Sequence, residues 1–273
     1  MKHNTIISIL SIVASANTMA ATVSVNNAVI DQQRKALAEN TQDKGFGPQS
    51  PRDIDNLQGN NKRSFAIAPK FTHMNLCNIH FHKNAEHKGG EFTKYAGNGD
   101  GKGYNTGYKY TGKLSNEELK PFEYKHLKSG DTIEVHYVYS SADVKPGATL
   151  GACLSKSINN PELRVESQVF VLVNDANAAH FDELAHYEKR AGYYQATNIP
   201  TNTGKPIEYL GSTTGPSYNE VGSPFQVTWS VRPKVAKVSI QSVAKWLKDN
   251  DFDEDHAHGV RNLVVNPNLL SAN

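Results

Sequence analysis

The sequence predicts a mainly β domain: an α+β arrangement in which a few short helices surround a central, largely antiparallel twisted sheet. Three observations predict it. Runs of strand length, rich in β-branched and aromatic residues, recur at 76–82, 132–140, 165–173, 225–231 and 237–240. Beyond the N-terminal segment, short helices are expected at 177–190 and 242–248. The connections are of hairpin length or rich in Gly, Asn and Pro, the chemistry of antiparallel sheets rather than strand–helix–strand units. A hydrophobic content of 38% in 273 residues suits one core with polar loops.

Taken in order, Lys2 and His3 precede an apolar run over 6–14, and small residues follow up to Ala20 and Ala21. This is the order of a secretory signal, too short to span a membrane. Cleavage after Ala20 places Thr18 and Ala20 at the two small positions. The expectation is a signal peptide over 1–20 and a single exported domain over 21–273, periplasmic where the cell has a periplasm. No membrane insertion is expected after the signal is removed. Residues 21–44 read as a polar, weakly ordered N-terminal segment with a short helix over 32–39. Residues 97–112 are loop material, and their glycines do not fit a phosphate-binding spacing.

A formal charge of +2, with scattered Lys and Arg, gives no electrostatic reason to expect nucleic acid. Export makes a Cys77–Cys153 disulfide the first reading of the only two cysteines. Closing so long a loop contributes on the order of 4 kcal/mol. The alternative is metal ligation by Cys77 beside His80. Strand alternation opposes it, because Cys77 lies an odd number of residues from His80.

The chemistry sits in Asn78-Ile-His80-Phe-His82 and, some fifty residues on, Glu134-Val-His136-Tyr-Val138. Alternation puts His80 and His82 on one face of their strand, and Glu134, His136 and Val138 on one face of theirs. Adjacent strands would then bring three imidazoles together. Three His ligands with an open fourth position are the protein half of a catalytic Zn2+ site. Two further segments flank it: Gln49-Ser-Pro51 with Asp53-Ile54, and Gly211-Ser-Thr-Thr214 with Val227-Thr-Trp229.

In this order the motifs resemble carbonic anhydrases of the α class, and the wording around the histidines is most similar to their δ-class relatives. The resemblance spans about 45–240. It implies the α-class sheet and reversible hydration of carbon dioxide to bicarbonate and a proton by a zinc-bound hydroxide. It makes His80, His82 and His136 the metal ligands and Glu134 the carboxylate behind the third. It makes Glu86 the gatekeeping carboxylate, Thr213 or Thr214 the orienting hydroxyl, and Val138 and Trp229 walls of the substrate pocket. Some features depart from the pattern. Glu86 follows His82 unusually closely, the threonine motif is one residue short, and the proton-relaying His has no clear match.

Two other readings remain open on sequence alone. His80-x-His82 with Glu86 also fits part of a cupin motif, in which Glu86 would itself be a ligand. An exported zinc-binding module on the same fold, without turnover, is the non-enzymatic alternative. His73 and His87 read as surface residues, and 249–258, with His256 and His258, as a solvated charge run.

Overall fold

The computed structural model describes residues 24–213 and 219–272, so the proposed signal peptide and Thr214 lie outside the described residues. The first element, α1 (Asn27–Thr41), corrects the expectation of a weakly ordered N-terminal segment. Asn26 caps it, its side chain accepting from the Val29 N–H. Ile30 and Leu37, seven residues apart and so on one helical face, are buried. Leu37 packs with Val264, Leu269 and Leu270 near the other end of the chain. The sequence underrated the segment because its apolar face is only two residues wide and its partner is distant.

Six strands form the main sheet: β1 (Asn75–Lys83), β2 (Thr132–Ser140), β3 (Leu163–Val173), β4 (Ile207–Ser212), β5 (Gln226–Val231) and β6 (Ala236–Ser239). Their order is β1–β2–β3–β5–β4, and β6 also pairs with β3. The pairs β1–β2, β2–β3 and β4–β5 are antiparallel. Strands β5 and β6 run parallel to β3, meeting Arg164–Ser167 and Phe170–Val173 of it in turn. The sheet is thus antiparallel from β1 to β3 and between β5 and β4, and parallel where β5 and β6 meet β3.

Side-chain alternation along β2 separates two cores. Val135, Tyr137 and Tyr139 join Phe81, Phe170, Phe181, Val243 and Trp246 on one side. On the other, Val138 joins Val165, Val169, Val227 and Trp229. Each such buried side chain contributes about 1.5–3 kcal/mol relative to exposure. The polar residues Glu134 and His136 lie on the second side, against this apolar floor.

Two local features depart from the sequence reading. The 177–190 helix shrinks to α2 (Phe181–Leu184), after which Tyr187–Arg190 pairs with Tyr193–Ala196. The two-residue loop Ala191-Gly192 has positive φ at both positions, the turn geometry whose twist matches a hairpin. With Ala in place of Asn at its first position, the turn was hidden in a helix-like run. Helix α3 (Ile240–Trp246) matches the 242–248 expectation within two residues.

The second departure is in β1, whose register with β2 shifts between Leu76 and Asn78. This bulge breaks the alternation that was expected to turn Cys77 away from His80. Leu76 and Ile79 both enter the first core, while Cys77 lies in the second with Val138 and Cys153. The disulfide expectation holds: Cys77 and Cys153 are bridged, and among the described residues no cysteine is free. Also among the described residues, no helix is long and apolar enough to cross a membrane.

Candidate metal centre

β1 and β2 pair so that His80 lies opposite His136 and His82 opposite Glu134. Period-two alternation therefore delivers all three imidazoles to one side of the sheet. Their candidate ligand atoms lie within 4.8 Å of one another. The other nitrogen of each ring is engaged, and its partner settles the tautomer. His82 Nδ1 lies 2.6 Å from the Gly259 carbonyl, which can only accept, so Nδ1 carries the hydrogen. His136 Nε2 donates to Glu134 Oε1 at 3.1 Å. Asn78 gives its amide NH2 to the Gly147 carbonyl, so its Oδ1, 2.6 Å from His80 Nδ1, accepts there. Nε2 of His80, Nε2 of His82 and Nδ1 of His136 are left with lone pairs.

These lone pairs stay available at ordinary pH. Burial, reinforced by the neighbouring imidazoles, holds His80 well below its usual range. Burial, with His258 nearby, lowers His82 to about 4. Burial lowers His136 too, against the opposing bond from Glu134. Three neutral imidazoles with their far nitrogens hydrogen-bonded are the donor set a divalent zinc ion takes.

Glu134 is fully buried and ionised. Burial would raise its pKa, but His87 and His136 beside it hold it well below the carboxylate range. Its Oε1 accepts from His136, from His87 Nδ1 at 2.7 Å and from the Ser167 hydroxyl at 2.6 Å. Its Oε2 accepts the backbone N–H groups of Glu86 and His87 at 2.7 and 3.1 Å. His87 is therefore no surface residue, as its sequence surroundings suggested; it is wholly buried. His87, Glu134 and His136 also cluster closely enough to hold an ion. However, His87 Nδ1 faces Glu134 and its Nε2 lies 2.7 Å from the Tyr209 hydroxyl, so that ring has no lone pair left to give.

Behind His87 the network reaches the flanking motifs. The Tyr209 and Ser50 hydroxyls are 3.0 Å apart, and Ser50 Oγ accepts the Ser212 N–H. Ser50 comes so close to Gly211 that a Cβ there would lie 2.0 Å from Ser50 Oγ, which is why the motif needs glycine. Gln49 accepts from Ser223 N–H and donates to its carbonyl. The Gln49-Ser-Pro51 motif thus braces the floor of the site and does not enter it.

Above the histidines opens a cavity of about 410 Å³. Val138, Val165, Leu150 and Trp229 form its apolar wall. The Trp229 indole meets the His136 ring edge-on, with centroids 5.0 Å apart. Glu86 and Thr213 line the same cavity. Glu86 Oε1 accepts the Arg261 backbone N–H at 3.0 Å, and its Oε2 is 3.9 Å from His82 Nε2. Burial pushes the Glu86 carboxyl up. Thr213 Oγ1 is buried without a hydrogen-bond partner among the described residues.

The segment after α3 supplies what the sequence reading missed. His258, assigned to a solvated charge run, lines the cavity, its ring centroid 5.4 Å from that of His80. Glu254, buried, sits 2.6 Å from His258 Nε2, and this bond raises the His258 pKa. Asp249, Asp251, Asp253, Asp255 and His256 are exposed, as expected. A faint signal was present: Glu254 and His258 are four residues apart among alternating acids.

Comparison with known proteins agrees with the motif order. The family model described as delta carbonic anhydrase matches residues 71–242. The chain belongs to the delta carbonic anhydrase family, which removes the cupin reading. Among solved structures it is similar to the α-carbonic anhydrase of Photobacterium profundum, at 18% identity over 81% of this chain and 88% of that one, TM-score 0.28. It is also similar to that of Thermovibrio ammonificans in complex with sulfanilamide, at 17% identity over 77% and 83%, TM-score 0.27. The fungal α-carbonic anhydrase of Aspergillus oryzae matches at 15% identity and TM-score 0.27 over 67% of this chain, which spans 58% of that chain's length. No curated protein matches.

Proposed function

We propose that the chain catalyses reversible hydration of carbon dioxide to bicarbonate and a proton at a zinc ion held by His80, His82 and His136. The observation that carries this reading is the tautomer pattern: three convergent imidazoles, each with its far nitrogen held by an acceptor, leave three lone pairs for one ion. Zinc bound by three neutral imidazoles supplies a water whose pKa falls to about 7, and so a nucleophile at neutral pH.

The chain's own residues do the rest. Val138, Val165, Leu150 and Trp229 offer an apolar wall suited to an uncharged, linear substrate. With one Glu86 oxygen engaged by Arg261 N–H, the other is left for the Thr213 hydroxyl. A hydroxyl that donates to an ionised carboxylate must accept on its other side. Thr213 then admits only a proton-bearing group there and turns the attacking oxygen's lone pair toward the substrate. Burial favours protonated Glu86, but a cation at the histidines would draw it back toward the ionised form. His258 is placed to take up the released proton at its ring and pass it to solvent.

Zinc content and hydration rate of the same Glu86→Gln preparation test the reading. Retained zinc and a rate lower on the order of a hundredfold are expected, because an amide cannot fix the direction of the threonine proton. Lost zinc would make Glu86 a ligand, and unchanged turnover would leave it outside the chemistry. A zinc-loaded wild type that hydrates nothing would leave a binding module on this fold.

A further inference from the structure

We propose that the Cys77–Cys153 bridge sets the metal affinity of His80, acting through Gly147 and Asn78. The proposal rests on the zinc reading above and adds a control on it. Asn78 is fully buried beside the first histidine, and its amide has two ends of nearly equal shape and opposite hydrogen-bonding character. The Gly147 carbonyl, 3.1 Å from Nδ2, can only accept. It therefore selects the orientation in which Oδ1 faces His80 Nδ1 at 2.6 Å. That orientation keeps the hydrogen on Nδ1 and the lone pair on Nε2. Without Gly147 the amide is free to turn over and offer its NH2 to Nδ1. His80 would then carry its hydrogen on Nε2, the nitrogen that must bind the ion.

Gly147 is held in place by the loop that the bridge closes. Its N–H donates to the Cys77 carbonyl at 3.0 Å, and six residues later Cys153 is bonded to that same Cys77. Between these anchors Thr149 has φ 56°, in the left-handed region that a β-branched residue adopts only when its surroundings impose it. At the Cys153 end the Ser140 hydroxyl also donates to the Cys153 carbonyl, and Leu150 and Cys153 pack in the second core. Opening the bridge leaves the loop only these non-covalent restraints at that end and a strained threonine that gains by moving. The β1 bulge makes the device possible, because it turns Cys77 to the side of the sheet where Asn78 and His80 lie. Asn78 and Gly147 are positioning residues: they act on the ion through His80.

The test is a cycle read as the zinc dissociation constant, measured by chelator competition in four proteins. These are the wild type, the cysteine pair changed to serine (Cys77→Ser with Cys153→Ser), Asn78→Asp, and all three changes together. An aspartate accepts from His80 Nδ1 whichever way it turns, so it needs no help from Gly147. Removing the bridge should weaken zinc at least tenfold in the wild-type background, within the range for losing a ligand's hydrogen-bond partner. In the Asn78→Asp background it should cost less than twofold. An equal loss in both backgrounds, or none in the wild type, overturns the proposal. Should the cysteine-free protein fail to fold, Gly147→Pro in the same two backgrounds breaks the relay at its middle link and is judged the same way. A wild type that does not bind zinc tightly overturns the site reading itself, whereas tight binding without the background dependence overturns only the coupling.

Discussion

Strands β1 and β2 and the irregular segment after α3 meet at one cavity, but they reach it by different physics. The strand pair contributes His80, His82 and His136 through a period of two, which any reader of the sequence can apply. The later segment contributes the Gly259 carbonyl on His82, the Arg261 N–H on Glu86, and the His258 ring. Two of those three are backbone atoms, which every residue has, and no period aims them. The regular elements of this site carry the three histidines, and the aperiodic segment fixes which nitrogen of His82 and which oxygen of Glu86 is usable.

The largest expected effect tests this division of labour. His82→Ala removes one of three ligand atoms and should weaken zinc by about 4 kcal/mol, roughly a thousandfold. His258→Ala, in the same cavity but from the aperiodic segment, should keep zinc within a few-fold. Metal analysis after dialysis against a weak chelator reads both. Full zinc in the His82 variant, or loss of zinc from the His258 variant, would break the comparison.

The same contrast explains what was legible beforehand. The β2 limits came out as residues 132–140, because polar and apolar residues alternate from Thr132 to Tyr137 and aromatic and β-branched residues carry the run on to Ser140. Strand β4, which carries Tyr209 and Gly211, was read only as a motif, since glycine and small polar residues hide strand character. His87 looked solvated because Lys83 and Lys88 flank it, yet it is buried by contacts with Glu134, Tyr209 and Trp229, all at least forty residues away. The bulge at Cys77 had no sequence mark at all. The roles expected of Glu86 and of Thr213 or Thr214 came from family resemblance, and no spacing rule would have paired Glu86 with an amide 175 residues away.

A middle-sized effect separates the two regions by pH. His82 titrates at about 4 in the folded, metal-free protein and near 6.5 unfolded. Between those values the unfolded chain binds more protons, so stability rises with pH across the window and is lost as pH falls from 6.5 toward 4. His82 alone accounts for about 3 kcal/mol of that loss. His80 and His136, both lowered, add in the same direction. His258 has the opposite sign: its pKa is raised, so its contribution is present below 6.5 and lost as pH climbs through its folded value. Urea unfolding of the chelator-treated protein at pH 7 and at pH 4.5 should show the strand histidines prevailing. A stability unchanged between the two would refute it.

The smallest effect isolates the aperiodic segment. Glu254 is buried while the His258 side chain is 42% exposed, so solvent screens their pairing and its net worth is modest. Glu254→Gln replaces the carboxylate that raises His258 with a neutral amide. The His258 titration midpoint, followed by the NMR shifts of its ring protons, should then fall toward the ordinary histidine value. Zinc content should not change, because neither residue holds a metal ligand's far nitrogen. The hydration rate should respond most where proton removal limits turnover, in weak buffer, and recover as buffer concentration rises. A midpoint that stays put would mean that another charge, Glu86 or Asp255, governs His258. A fall in zinc content would mean that the aperiodic segment holds the metal as well as tuning its surroundings, and the division between the two regions would fail.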